Sequence, residues 1–488
     1  MTEQFEPRVA VIGGGLAGLV AAWELARAGV GVSLFERSER LGGRIASAEI
    51  HGVRFDVGPE SYATRGGEVE RLLVDLGMRE CITPTAGGRS WIVGDGRAAP
   101  LPAAAAIGIP AQPLSREVRR IIGLGGALRC AIEPWLPRSV GATAPSLGAL
   151  VRARLGQRTL DRLVDPVVRG VYSARADALP LSAVPGLARA YRDRGTLRAA
   201  ARTQRGSARA SGAAVAGLRG GIHTLVTRLV DELELLGVEL RLNAEVTAMR
   251  ELVSGAGAAW EVSAGDDVER FDAVVVTVPG VVPPRRLSET GGRVETQAPA
   301  QRIEVLALLV ESAALNAGPR GTGVLVADDA RYATPPIAAK ALTHANMKWR
   351  WLAEQLPPDH HLLRLSYGQR GSEAVTLPLA DEAAGRLALA DASAILGVPV
   401  EALSLRGIVR QQHTLPTSRQ PESTKSTEST ESVEPTALTP PGVVCAGEWV
   451  AGTGFAAVVP SARAAAATVL QALNASIFQP DPTRRSAP

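Results

Sequence analysis

"RVAVIGGGLAGLVAAWELARAGVGVSLFERSERLGGR", Arg8 to Arg44, decides the fold of this chain. It opens on a short apolar strand ending at Ile12 and turns through Gly13, Gly14 and Gly15. By way of Leu16, Ala17 and Gly18 it enters an apolar helix that ends near Gly29, and a second apolar strand then delivers Glu36 and Arg37. In a β-α-β unit the glycines do different things. Gly13 permits the tight turn, Gly15 lets the backbone come close to a pyrophosphate, and Gly18 lets helix and strand pack closely. The helix N-terminus faces the phosphates with its unpaired N–H groups. Glu36 accepts from ribose hydroxyls, and an acid there disfavours a 2′-phosphate, so NADP is the least suited ligand. The glycine spacing alone is weak; strand, helix, second strand and terminal acid in register make a dinucleotide site.

The residues just after the acid separate the remaining dinucleotides. Many NAD dehydrogenases carry nothing there, whereas flavin proteins of the glutathione-reductase or amine-oxidase kind place a Gly-Gly-Arg, here Gly42, Gly43 and Arg44. The cofactor expected is FAD. The fold class is α/β: a Rossmann-like FAD-binding domain joined to a mixed-sheet substrate domain and a helical subdomain.

With 488 residues, 46% of them hydrophobic, the chain can bury a substantial core in two or three domains. The net charge of +4 is carried almost wholly by arginine, with lysine only at 340, 348 and 425. This bias reads as GC-rich coding, and no nucleic-acid partner is inferred from it. Cys81, Cys130 and Cys445 are far apart and the six histidines show no ligand spacing, so neither a metal nor a redox pair is expected. No segment reaches eighteen apolar residues without interruption, which predicts no transmembrane span and leaves peripheral membrane contact open. "MTEQFEP" runs directly into the first strand, and a cytoplasmic location is expected.

The domains are expected to interleave. Residues 1–85, 213–285 and 440–475 are assigned to the FAD-binding domain, and 86–112 with 286–416 to the substrate domain. The span 113–212 reads as helical. In it Ser146 is a candidate N-cap before apolar positions Leu147, Leu150, Val151, Leu155, Leu160, Leu163, Val164 and Val167, beside an arginine-rich face expected to be solvated. Residues 417–439, "TSRQPESTKSTESTESVEPTALT", are too polar to bury a core and are expected to be disordered, and 476–488 form a tail.

At "DPVVRGVYSARADALPLSAVPGLA", Asp165 to Ala188, the chain resembles the protoporphyrinogen and coproporphyrinogen III oxidase family. "FDVGPESYATR", "AGLRGGIHTLVTRL", "KALTHANMKWRWL" and "GTGFAAVVPSARAAA" extend the resemblance from about Arg8 to Leu473. The resemblance implies that Gly13 to Gly18 and Gly42 to Arg44 meet the phosphates and Glu36 the ribose. It places Gly58, Pro59, Glu60 and Ser61 beside the isoalloxazine, the Val246 backbone at adenine and Glu448 near the ribityl chain or pyrophosphate. Thr453, Gly454 and Phe455 fall at the pyrimidine edge of the flavin. Here the sequence departs: Phe455, Ala456, Val458, Pro460 and Ala462 stand where the family commonly has G-I-P-A-C-I-x-S-G-R. Pro460 removes an N–H and predicts a later helix start.

The activity implied is aromatisation of a porphyrinogen in haem biosynthesis, six electrons leaving in three flavin cycles with oxygen as acceptor. The actinobacterial-like composition favours coproporphyrinogen III, with protoporphyrinogen IX as the alternative. The flavin motifs alone also admit an amine oxidase, a carotenoid desaturase or a degenerate flavin-binding protein; Trp449 only loosely offers the aromatic residue an amine oxidase uses. The residues demand no general base, and none is assigned. Arg89 is the candidate for a substrate propionate, with Arg65, Arg169 and Lys348 as further cations. Gly170 lies in the substrate-side turn, and Tyr172, Trp349 and Trp351 are candidates for packing on the ring. A transient contact with ferrochelatase is also implied as a possible partnership.

Overall fold

Val9, Ala10, Val11 and Ile12 are all buried, as are Ala273 to Val276 beside them, because these two strands lie inside a five-stranded parallel sheet covered on both faces. In the computed structural model, which describes residues 7–94, 96–103, 105–206, 215–254, 257–281, 301–332, 334, 336–415 and 440–477, the strand order is Glu239–Arg241, Gly31–Phe35, Arg8–Ile12, Ala273–Val276, Val443–Cys445. Alternation divides the faces. Val9, Val11, Val32, Leu34 and Val275 meet the helices Leu16–Arg27, His223–Leu235 and Phe455–Ile477. Ala10, Ile12, Phe35, Val274 and Val276 meet an antiparallel sheet of Val246–Ser254, Gly257–Ala264 and Asp267–Phe271.

The helix Phe455–Ile477 corrects one expectation. It begins at Phe455 and carries Pro460 inside it, so the proline does not delay its start. The cost is one lost bond to the carbonyl of Ala456 in an early turn, where a helix is still within reach of outside partners. Its segment Phe455–Asn474 is also long and apolar enough, by length and composition, to cross a membrane. Here Val459, Ala462, Ala465, Ala466, Val469 and Leu473 form a buried stripe in the core shared with Leu16–Arg27. Its Arg463 binds Glu24 at 2.7 Å and Asp75 at 2.5 Å.

A second, seven-stranded sheet runs Ser404–Leu415, Gln301–Glu311, His360–Tyr367, Ala341–His344, Gly323–Val326, Trp91–Gly94, Arg97–Pro100. Leu306, Leu308, Val310, Leu363 and Leu365 pack with Ala384, Ala388, Ala392 and Ile395 of the helix Asp381–Leu396. The other face, through Ala307, Leu309 and Leu362, meets Val53, Phe55, Trp349 and Trp351. This second contact carries the 47–56 hairpin of the nucleotide region onto the mixed sheet.

Between Arg116 and Gly206 the chain is helical. Ser146 caps its helix by accepting from Ala149 N at 3.1 Å, and Leu147, Leu150, Val151, Leu155, Leu160, Leu163 and Val164 are buried. A π-helical turn at Leu160–Val164 rotates the face, so Val168 is buried and Val167 only half-buried. The arginine-rich face is not uniformly solvated. Arg154 is fully buried, because Glu133 at 2.8 Å and the carbonyls of Pro137 and Val140 satisfy it. The low-complexity stretch 417–439 and residues 478–488 lie outside the described residues; the tail begins later than expected, since helix reaches Ile477.

Candidate flavin and substrate site

Two glycine loops are docked on each other at the carboxyl end of the parallel sheet. Gly13, at φ 104°, donates to Phe35 O at 2.8 Å and turns the chain into the helix. A Cβ on Gly18 would sit 1.8 Å from Gly13 O, so close is the helix to the strand. Gly15 differs: a Cβ there would meet nothing within 4 Å, so the space in front of it is open. Gly42 N donates to Gly14 O at 2.8 Å, and Gly43 lies so near Gly15 that its Cβ would be 3.2 Å from Gly15 Cα. Arg40, which no sequence motif singled out, holds this second loop through the carbonyls of Gly43 and Ile45. Arg37 is exposed.

Glu36 accepts from Gly14 N at 2.8 Å with one oxygen and from Ser38 N and Oγ with the other. Its own carbonyl accepts from Ala244 N at 2.9 Å, which brings the segment leading into buried Val246 alongside the acid. On the far side, Ala446 N donates to Val276 O, and Gly447, at φ 99°, passes Ala17 so closely that a Cβ would be 3.2 Å from the alanine methyl. Glu448 thereby reaches Arg44, with which it is ion-paired. Gly454, at φ 94°, ends the turn after Thr453, and its carbonyl accepts from Ala457 N and Val458 N in the first turn after Phe455.

The 57–61 segment is wedged against Arg44, since a Cβ on Gly58 would lie 2.0 Å from Arg44 O. Arg364, on a central strand of the mixed sheet, donates to Gly58 O at 2.6 Å and pairs with Glu60 at 2.7 Å. Lys348 takes the other oxygen of Glu60 at 2.7 Å and lies 3.5 Å from Ser61 Oγ. Burial alone would raise the Glu60 pKa, but the two cations outweigh it and hold the carboxyl at about 2. His413 Nε2 lies 3.2 Å from Val57 O, and burial, against the bond to Val57 and with the charges of Arg44, Arg364 and Arg40, keeps its pKa low. Asp56 caps the helix His223–Leu235, accepting from Ile222 N at 2.7 Å and His223 N at 3.0 Å.

Of the four cations expected at the substrate, Arg89, Arg169 and Lys348 are each held by separate partners rather than gathered at one point. Arg89 is half-exposed, 3.3 Å from Glu117 and 3.1 Å from Leu101 O. Arg169 is held by Gln369 at 2.7 Å and Asp328 at 3.5 Å. Lys348 is turned inward to Glu60 rather than presented to solvent. Arg65 is exposed, close enough to Tyr172 for its charge to oppose the rise in the phenol pKa that burial causes. Trp349 and Trp351 are buried in the core between hairpin and mixed sheet, so neither offers a free face. Trp449 packs against the layer containing Phe35 and Phe271. Gly170 is exposed near the end of Asp165–Tyr172. The following Ser173, at φ 48°, accepts from Arg370 N at 2.7 Å through its carbonyl and from Lys340 Nζ at 3.1 Å through its hydroxyl. Burial, then the Arg169 charge, brings Lys340 down to about 8. Among the described residues no group of metal-ligating side chains is assembled.

Residues 16–470 match the family model described as Flavin containing amine oxidoreductase. The chain belongs to that family. Its cofactor is the family's flavin, FAD, and the α/β fold with a nucleotide domain and a mixed sheet is the family's fold. It is 30% identical over 477 residues to the coproporphyrinogen III oxidase of Mycobacterium tuberculosis, covering 96% of this chain and 98% of that protein. To the coproporphyrinogen III oxidase of Bacillus subtilis it is 26% identical over 404 residues, 80% and 83% of the two chains. A crystal structure from Exiguobacterium sp. 255-15 superposes with a TM-score of 0.74 at 22% identity, over 98% of this chain and 100% of that one. Within the family, the end-to-end match to the mycobacterial protein bears out the resemblance read from the sequence.

Proposed function

We propose that this chain oxidises coproporphyrinogen III to coproporphyrin III with FAD as cofactor. The observation that carries this is the 30% identity sustained over nearly the whole of both chains with the mycobacterial coproporphyrinogen III oxidase. The residues present fit FAD. The open space at Gly15 leaves room for a pyrophosphate against the N-terminus of Leu16–Arg27, and Glu36 lies at the end of the second strand to take a ribose.

Bound FAD supplies a two-electron acceptor, so removal of six electrons takes three rounds. The protein's work is binding and orientation. The glycine loops and Glu36 hold the nucleotide end; Arg44, fixed by Glu448, puts a cation beside the first loop. Arg364 and Lys348 fix the 57–61 segment through Glu60 and Gly58 O. Arg89 and Arg65 are the cations left at the surface for substrate carboxylates, and Lys340 with Arg169 sets the turn that carries Gly170. Oxygen as the final acceptor, a transient contact with ferrochelatase, a cytoplasmic location and the interleaved domain limits given above belong to the same proposal.

Turnover followed by porphyrin fluorescence, with coproporphyrinogen III and protoporphyrinogen IX in parallel, tests it. Faster oxidation of the tetracarboxylate supports the reading. Preference for the dicarboxylate replaces it with protoporphyrinogen oxidation, and turnover of neither, by a flavin-replete protein, removes it.

A further inference from the structure

Glu60 is the acid at the centre of a buried cluster with one charge too many. Its two oxygens are taken by Lys348 and Arg364, and the side chains of Arg364, Glu60 and Lys348 are only 9, 12 and 16% exposed. Two cations on one ionised carboxylate leave a net charge of +1. Among the described residues no second acid pairs with either cation. Arg364 also has a buried Nε with no hydrogen-bond partner among the described residues. A buried cation with an idle donor is costly unless a further acceptor or negative charge completes it. The carboxylates nearby have partners of their own, Glu448 in Arg44 and Asp56 in the N–H groups of Ile222 and His223, and Arg44 and Arg40 lie near enough to lower the pKa of His413.

We infer that Arg364 is a positioning residue of the flavin site, and that the surplus positive charge it shares with Lys348 favours the reduced, anionic flavin over the oxidised, neutral one. The inference rests on the FAD reading above. Reduction by two electrons and one proton leaves the ring with one negative charge, and that charge is the counter-ion the cluster lacks. Arg364 reaches the segment from across the molecule, 306 residues from Gly58 in sequence, and binds both its backbone and its acid. Glu60 then sets the size of the surplus: it cancels one of the two cations and leaves the other.

The sign of a potential shift separates this from a merely structural role. In holoenzyme with FAD content and thermal midpoint measured, Arg364→Met is expected to lower the flavin midpoint potential. A tenfold loss of preference for the reduced form corresponds to about 30 mV for a two-electron couple. Arg364→Lys, which keeps the charge, is expected to recover most of it. Glu60→Gln removes the cancelling charge and is expected to move the potential the opposite way, upward. Loosening of the segment would not give opposite signs. If Arg364→Met does not fold, Lys348→Met, expected to shift the potential downward, takes its place. Flavin-replete variants whose potentials do not move, or move in the same direction for Arg364→Met and Glu60→Gln, overturn the inference. A wild type purified without flavin overturns the FAD reading itself.

Discussion

Replacing Gly15 and Gly18 one at a time should separate what the loop does for the cofactor from what it does for the fold. Both look equivalent in the sequence. In the structure, a Cβ on Gly18 would lie 1.8 Å from a backbone oxygen that cannot move aside, whereas a Cβ on Gly15 meets nothing within 4 Å. Gly15 also has φ −74° and ψ −179°, a conformation any residue adopts. Gly15→Ala should therefore leave the apoprotein within about 1 kcal/mol of wild-type stability, since a modest N-cap loss is offset by reduced freedom of the unfolded chain. The methyl instead enters the space left for a pyrophosphate. Overpacking there costs roughly 1–3 kcal/mol, or about five- to 150-fold in FAD affinity. Gly18→Ala should destabilise the apoprotein itself by about 3 kcal/mol or more, because strand and helix must separate. Apoprotein prepared by flavin removal, scanned thermally and titrated with FAD by fluorescence quenching, measures both quantities. A Gly15→Ala protein that binds FAD within twofold of wild type, or that unfolds as readily as Gly18→Ala, refutes the reasoning.

Arg89→Ala should lower kcat/KM on coproporphyrinogen roughly ten- to a hundredfold if a charge-assisted bond to a propionate is lost, with the flavin spectrum unchanged; an equal penalty on the tetra-ester would show that Arg89 touches no carboxylate. Burial and then the neighbouring His361 charge hold His344 at about 3, and it is fully buried. The unfolded chain takes up its proton near 6.5, so stability present above that pH should drain away as pH falls towards 3, by roughly 3–5 kcal/mol. His344→Gln keeps a donor to His361 without titrating and should flatten the denaturation midpoint between pH 6.5 and 3; an unaltered slope would assign the acid lability elsewhere. Deleting Gln420 to Glu434 should leave FAD content and turnover within a few-fold, since loop length changes closure entropy by only about 0.6 kcal/mol per doubling; loss of flavin would make the segment structural.

The nucleotide end of the site was readable because its parts are local. Gly13 to Gly18, Glu36 and Gly42 to Arg44 sit within forty residues, and the glycines and Glu36 act through backbone geometry or a neighbour in the same unit, whereas Arg44 takes its partner, Glu448, from far along the chain. The fold class followed from the same stretch, because a parallel strand pair needs its crossover helix and buries both faces. What escaped were contacts that only the tertiary fold creates. Arg364 and Gly58 are 306 residues apart, His413 and Val57 are 356 apart, and Lys340 and Ser173 are 167 apart. A strand arginine flanked by leucines carries no local sign that it will cross to another segment. Pro460 misled for a related reason: a rule about isolated helices predicted a later start, and the packing of that helix in the nucleotide core overrode it.

The pairing of the substrate-side cations ranks them. An arginine can exchange a protein carboxylate for a substrate carboxylate only if the pair it breaks is weak. The Arg89–Glu117 pair is 3.3 Å long with Arg89 nearly half-exposed, and water and salt already screen it. Breaking it loses little, and Glu117 is left in solvent where its charge is cheap. Arg169 and Asp328 are 12 and 19% exposed, and Gln369 fixes the same guanidinium at 2.7 Å. Pulling that arginine away would break the Gln369 bond of a mostly buried guanidinium and loosen the turn at Ser173, a greater loss, while Asp328 would keep Arg175 at 3.0 Å. Lys348 is bound more closely, at 2.7 Å to a buried acid that Arg364 also holds, and the two cations keep the pKa of that acid low. The order we propose for direct carboxylate binding is therefore Arg89 and Arg65 first, Arg169 next and Lys348 last. A substrate with four carboxylates profits from surface cations that can change partners, while the buried ones serve the turn and the flavin segment.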